Sequence, residues 1–313
     1  VVSSIFSSPG ILHFDICILQ FDLPSFLVSS GGRMTPLSTP AEVTWCPGCG
    51  NFGIMSAFKR AVTRLESEGI DRSHLFISSG IGCHGKIADY LALSGFYSIH
   101  GREIATVQGV KLANPDLYVI AFGGDGDALG EGISHLIFAA KRNADMTMII
   151  HDNGVYALTT GQYSPLSTRG YKGPSTPSGS VEDPLNPLSL MLAAGATFVA
   201  RGYAGRVPEL ADLMYRAVRH RGFAFLDVLQ PSVVFNDTYR KYNAETEPVT
   251  HDPKNFGEAL AAAQKLDKLQ LGVFYETDKP AFHRELLGER NPVKDRLSQA
   301  ERLERIKRVL AGG

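Results

Sequence analysis

The stretch Asp116–Tyr156, "DLYVIAFGGDGDALGEGISHLIFAAKRNADMTMIIHDNGVY", decides the fold. "LYVIAF" is an apolar run of strand length that leads into Gly123, Gly124 and Gly126. "LGEGISHLIFAAKRN" carries apolar residues at helical spacing and predicts a helix beginning near Leu129. "MTMII" reads as a second strand that leaves through "HDNGVY". A strand, a helix and a strand in that order make one crossover unit of a parallel sheet. Asp125 follows the first strand, and Asn153 follows the second 28 residues later. That gap predicts that both stand at the C-terminal edges of neighbouring parallel strands, where open α/β sheets bind their ligands.

The alternation extends in both directions. Upstream, "FGIMSAFKRAVTRLESEG" predicts a helix, "HLFISSG" a strand, and "KIADYLALSG" and "REIATVQGVKLANP" two more helices. Downstream come "SLMLAAGA", the strand "TFVARG", the helix "VPELADLMYRAVRHRG" and the strand "FAFLDVLQP". A helix over 253–267, the strand "LGVFYE" and a helix near 281–287 complete the pattern. The expected fold class is α/β, a doubly wound, mostly parallel sheet forming one domain over 39–290. Residues 161–187 are dense in Gly, Pro and Ser, and at that length they predict a loop folded over a bound group. The charged tail 291–313 reads as a surface or interface helix.

Residues 1–38 read as a leader outside the domain. The segment 1–33 is rich in Ser and apolar residues but is interrupted by Asp15 and Asp22, and it lacks the basic start of a signal peptide. The natural chain is expected to start at Met34, with 1–33 as upstream read-through, and Cys17 is discounted as a ligand. The chain has 313 residues, 44% of them hydrophobic and 20% charged, enough for a substantial core. A net charge of −1 argues against nucleic acid or an anionic membrane as partner. Four cysteines are too few for a disulfide scaffold and point to a reducing, cytoplasmic compartment.

"GGDGD" suits a phosphate, because its glycines let backbone amides approach a bound group. It carries no Lys-Ser/Thr pair of a P-loop and lacks the dinucleotide spacing. Asp125 and Asp127 stand there instead, and a carboxylate beside a phosphate calls for a bridging cation such as Mg2+. An Asp loop followed by Asn one crossover later is the pattern of thiamine diphosphate sites; a pair of ordinary Gly/Asp/Asn turns is the competing reading. Upstream, "WCPGCGN" spaces Cys46 and Cys49 as a redox dithiol, a zinc half-site or half of an iron–sulfur site would.

From about Thr39 to Leu287 the chain resembles the β subunit of archaeal and bacterial 2-oxoacid:ferredoxin oxidoreductases. The resemblance rests on "WCPGCGN", "SGIGCHGK", "HGRE", "GVKLANPDL", "GGDGD", "DNGVYALTTGQYSP" and "VLQPSVVFN", in the family's order. It implies a thiamine-diphosphate-binding fold in which Asp125, Asn153 and the backbone oxygen of Val155 hold Mg2+. It implies that Gly126, Asp127, Ala157 and Leu158 line the cofactor, and that Ile81, Gly82, Cys83, His84, His100, Gly101 and Arg102 contact it. It further implies oxidative decarboxylation of 2-oxoacids, with coenzyme A as acyl acceptor and electrons passed through an iron–sulfur cluster to ferredoxin. The glutamate that activates the cofactor is expected from an α (or fused γα) partner, since Glu131 reads more simply as a helix-start acid. Lys86 has two readings, a contact to the substrate carboxylate or a solvated lysine.

Cys46, Cys49 and Cys83 match three of the family's four cluster cysteines, and the fourth position is Ser232. Serine is the poorer ligand because its hydroxyl is hard to deprotonate. Three outcomes stay open: a serine-ligated 4Fe–4S cluster, a cluster whose fourth iron carries another group or is lost as 3Fe–4S, or no cluster. Thr160, uncharged where many relatives carry a basic residue, suggests broad 2-oxoacid use. A thiamine-diphosphate decarboxylase or synthase without ferredoxin chemistry is the alternative.

Overall fold

The computed structural model describes residues 36–265, 268–294 and 297–311. The expectations for residues 1–35, including the start at Met34, lie outside the described residues. The remaining edge of the expected leader is corrected, because Leu37 accepts a hydrogen bond from Ala92 N (2.9 Å) and Ser38 bridges to Leu91. The domain therefore already includes Leu37.

The strands are β1 (Leu75–Ser79), β2 (Ser94–Tyr97), β3 (Tyr118–Gly124), β4 (Met146–Asp152), β5 (Val155–Tyr156), β6 (Gln162–Tyr163), β7 (Phe198–Tyr203), β8 (Phe223–Leu229), β9 (Thr246–Pro248) and β10 (Leu269–Glu276). Eight of them form one sheet in the order β2-β1-β3-β4-β8-β7-β10-β9. Every pairing is parallel except that of β10 with β7. β5 and β6 make a small antiparallel ribbon of their own.

The central strands are apolar on both faces because both are covered. Along β8, Ala224, Leu226 and Val228 face one core while Phe223 and Phe225 face the other. β3 alternates likewise, with Ile120 and Phe122 on one side and Val119 and Ala121 on the other. The first core is capped by the helices Asn51–Ser67 and Val207–Arg219. The second is capped by Glu103–Ala113, Ile133–Lys141, Pro187–Ala194 and Phe256–Ala263. The last of these is shorter than the 253–267 expected, and residues 266–267 lie outside the described set. In the tail, Gln299–Leu310 is an exposed helix started by a Ser298–Glu301 capping box.

Two local expectations change. "KIADYLALSG" is not one helix: a single turn, Ile87–Tyr90, ends as Leu91 enters the first core, and the chain turns into β2. All four residues of β2 are exposed, so no alternation marks it, and its backbone is held by the free edge of β1. The helix after β3 begins at Ile133, not near Leu129; Asp125–Glu131 winds as a π-helical turn that stops at Gly132. Such wide turns are frequent at functional sites.

The helix Asn51–Ser67 presses so closely on the β7 exit that a methyl on Gly53 would lie 2.2 Å from Ala204 O. In an open helix, Gly→Ala would stabilise by about 0.5–1 kcal/mol. Here the sign is expected to reverse, with Gly53→Ala lowering stability by about 1–3 kcal/mol in urea unfolding.

Candidate active site

β1, β3 and β4 end side by side, and their exit loops enclose a cavity of about 110 Å3. Ile81, Gly82, Cys83 and His84 reach it from the β1 exit, and Asp125, Gly126 and Asp127 from the β3 exit. Asn153, Val155, Ala157 and Leu158 enter from the β4 exit, and His100 enters from the β2 exit. Gly124 of the glycine loop adds to the wall, and Tyr156 and Thr159 complete it without having been singled out in the sequence. Tyr156 stacks its ring on Gly126, where a methyl would lie 2.4 Å from the ring, and its hydroxyl donates to Gly126 O (2.9 Å).

Asp127 organises this rim. Its Oδ1 accepts from Ile81 N (3.2 Å) and Gly101 N (2.7 Å), and His100 Nδ1 lies 2.7 Å from the same oxygen. Its Oδ2 meets His84 Nε2 at 3.1 Å. Burial alone would raise its pKa, but the hydrogen bond and charge of His84, with the Gly101 N–H and the charge of His100, together outweigh burial and hold it below the ordinary value. Gly101 and Arg102 are not among the residues that line the cavity. Gly101, at φ +65, gives its N–H to Asp127. The Arg102 guanidinium donates to the carbonyl of Glu131 (2.9 Å) and those of His100 and Gly101.

Asp125 is buried, and its Oδ2 accepts from the Ser164 hydroxyl. Burial, opposed by the Ser164 hydrogen bond, pushes its carboxyl up to about 7. The Gly/Pro/Ser-rich segment thus folds back onto the β3 exit loop, and Ser167 bonds Gly154 O in the same way. Asn153 Oδ1 accepts from Val155 N (3.0 Å), and its Nδ2 donates to Gln230 Oε1 (2.9 Å).

A second cavity, of about 240 Å3, adjoins the first and shares Cys83, Asn153, Ala157 and Leu158 with it. Cys46, Cys49 and Ser232 line it, as do Lys86, Thr160 and Gln230. The cysteines are free thiols. Burial pushes the Cys49 thiol up to about 11 and raises that of Cys83. Trp45 Nε1 donates to Cys83 O (2.6 Å), and Lys86 Nζ to Thr44 Oγ1 (2.9 Å). Lys86 therefore faces the cysteine cavity and does not line the first one. Gln230, which motif reading passed over, joins the two sites: beside Asn153, its Nε2 donates to Cys49 Sγ at 3.4 Å. Thr160 holds a positive φ of 80° at the rim, a strained conformation for a β-branched residue.

A parallel sheet with an Asp turn and an Asn at adjacent strand ends defines a thiamine-diphosphate-binding domain. The family profile of the thiamine pyrophosphate enzyme C-terminal TPP-binding domain matches residues 80–228, and that of the C-terminal part of the pyruvate ferredoxin oxidoreductase β subunit matches 233–290. The chain is 42% identical over 272 residues to the 2-oxoacid:ferredoxin oxidoreductase subunit beta of a Sulfolobus species, covering 81% of this chain and 88% of the relative. It is 42% identical over 264 residues to the 2-oxoacid:ferredoxin oxidoreductase 1 subunit beta of Aeropyrum pernix, covering 79% and 82%. Among solved structures, the 2-oxoglutarate:ferredoxin oxidoreductase of Magnetococcus marinus, with 2-oxoglutarate, coenzyme A and succinyl-CoA bound, superposes with a TM-score of 0.76 at 35% identity, covering 88% of this chain and 90% of that one. The chain belongs to the β subunits of the 2-oxoacid:ferredoxin oxidoreductases. A β subunit of this kind works with an α partner. No described helix is long and apolar enough to cross a membrane.

The raised Asp125 pKa has a stability consequence. Between the ordinary value of 3.8 and about 7 the folded chain keeps a proton that the unfolded chain has lost, so stability falls as pH rises through this window. Asp125→Asn is expected to stabilise the cofactor-free protein at pH 8 by on the order of 2 kcal/mol in urea unfolding, with no gain below the ordinary carboxylate range.

Proposed function

We propose that this chain is the cofactor- and cluster-bearing subunit of a cytoplasmic, coenzyme A-dependent 2-oxoacid:ferredoxin oxidoreductase of broad 2-oxoacid use. The observation that carries the reading is the shared wall. The cavity of the Asp125–Asn153 pair and the cavity of the three cysteines meet at Cys83, Asn153, Ala157 and Leu158.

The donor set suits Mg2+ and a diphosphate. Asp125 contributes a buried carboxylate, Asn153 Oδ1 keeps one lone pair beyond its bond to Val155 N, and Val155 adds a backbone oxygen. The Asn153–Gln230 bond fixes which end of the amide is free to ligate. Bound thiamine diphosphate supplies a carbon nucleophile and an electron sink for decarboxylation. Asp127 holds His84, His100 and the Ile81 and Gly101 amides in place around it. The glutamate that activates the cofactor is assigned to the α partner.

The thiol set suits an iron–sulfur cluster. Cys46, Cys49 and Cys83 bring soft donors to one cavity, and Ser232 stands at its wall. The high thiol pKa values of Cys49 and Cys83 belong to the metal-free chain, since metal coordination deprotonates a thiol. A cluster held by these residues would supply the one-electron carrier toward ferredoxin. Lys86 is the cation on the same wall and is assigned to the substrate carboxylate, while the uncharged Thr160 leaves the rim without a second cation to select dicarboxylates.

The test is co-expression with the α-type subunit, followed by iron analysis, electron paramagnetic resonance and ferredoxin reduction with a panel of 2-oxoacids. A brown, iron-bearing complex that oxidises pyruvate, 2-oxobutyrate and 2-oxoglutarate with coenzyme A is expected. Ser232→Cys is expected to increase iron retention and change the resonance spectrum. A colourless, iron-free complex that still decarboxylates 2-oxoacids would sink the ferredoxin chemistry, and turnover of pyruvate alone would sink the broad specificity.

A further inference from the structure

Glu103 opens the helix Glu103–Ala113 below the cofactor cavity and is fully buried. Among the described residues, no other side chain donates a hydrogen bond to either of its carboxyl oxygens. Backbone closes in around it: a methyl on Gly123 would lie 2.8 Å from Oε1, and one on Gly80 would lie 2.6 Å from Oε2. That same methyl on Gly80 would lie 1.8 Å from Asp127 Oδ2. The bare Gly80 thus leaves a pocket in which two carboxyl groups face each other.

The two acids are unequally served. Asp127 accepts from Ile81 N and Gly101 N and meets His84 and His100. The nearest cation in sequence, Arg102, is turned away to backbone carbonyls. The first-turn amides of the helix favour an anion at Glu103 by only about 0.3–1 kcal/mol. Two carboxylates are both acceptors, so they bond only when one carries a proton, and burying both as anions is costly. The acid with donors keeps the charge, and the one without them keeps the proton.

We propose that Glu103 is a positioning residue whose neutral carboxyl donates a hydrogen bond to Asp127 and so locks the carboxylate that holds the loops at 81–84 and 100–101. Burial and the neighbouring charge of Asp127 push the Glu103 carboxyl well above the ordinary range, in agreement with this assignment. The consequence for the cofactor rests on the thiamine diphosphate reading; the protonation itself does not.

Infrared difference spectroscopy of the full chain at pH 8, parent against Glu103→Gln, tests the proton directly. A protonated-carboxyl band lost in the variant is expected; no difference in that region overturns the proposal. Calorimetric titration with thiamine diphosphate and Mg2+ tests the positioning. Glu103→Gln, which keeps a neutral donor in place, is expected to retain parent-like affinity. Glu103→Ala is expected to lose about tenfold, with faster amide exchange at Ile81 and Gly101. A glutamine variant as weak as the alanine one would mean that the anion is required, and would overturn the assignment. If the parent itself fails to bind the cofactor, the thiamine reading fails, while the infrared band and the exchange rates still decide the role of Glu103.

Discussion

One buried carboxylate, that of Asp127, gathers the loops that leave three neighbouring strands. In a parallel sheet each exit loop begins with amides that the ladder no longer pairs, and adjacent loops start only about 5 Å apart. Asp127 sits on the β3 exit and accepts from Ile81 N beyond β1 and from Gly101 N beyond β2. His84 and His100 complete its surroundings. In a region with little water such bonds are strong, and the same burial makes any unpaired member costly. The cofactor cavity keeps its shape because this anion is over-determined.

The register of β4 against β8 does a second piece of construction. Asp152 pairs with Leu229, and Gln230 N then donates to Asp152 O at 2.7 Å, extending the ladder by one step. Asn153 and Gln230 therefore emerge side by side, one toward the Asp125 loop and the other toward Cys49. A cavity suited to a diphosphate and a cavity lined by thiols share a wall because two strands are in register. The C-terminal edge of the sheet also gathers the buried Asp125 and Asp227 and the half-buried Asp152, all raised in pKa chiefly by desolvation. Function concentrates there at a cost in stability, which the two apolar cores flanking the sheet offset.

Much of this was legible in the chain. The apolar strands and amphipathic helices had the right periods, and the parallel sheet follows from their alternation. The gap between Asp125 and Asn153 implied adjacent strand ends, and β3 and β4 are indeed paired. What escaped were elements without a local pattern. β2 carries only exposed residues and exists because β1 offers an open edge. The π-helical turn Asp125–Glu131 reads as an ordinary helix start, because composition does not separate the two windings.

By itself, the sequence determined the layered architecture, the Asp–Asn pair, the set of cysteines and the serine at position 232, because these depend on local periodicity and on residue type. The tertiary structure alone decided which groups meet. It gave Arg102 to backbone carbonyls and Gly101 to Asp127, turned Lys86 toward the thiols, set Gln230 between the cavities and placed Glu103 against Asp127. The physical reason is that partners far apart in the chain are chosen by strand register and by the need of buried polar groups to find one another.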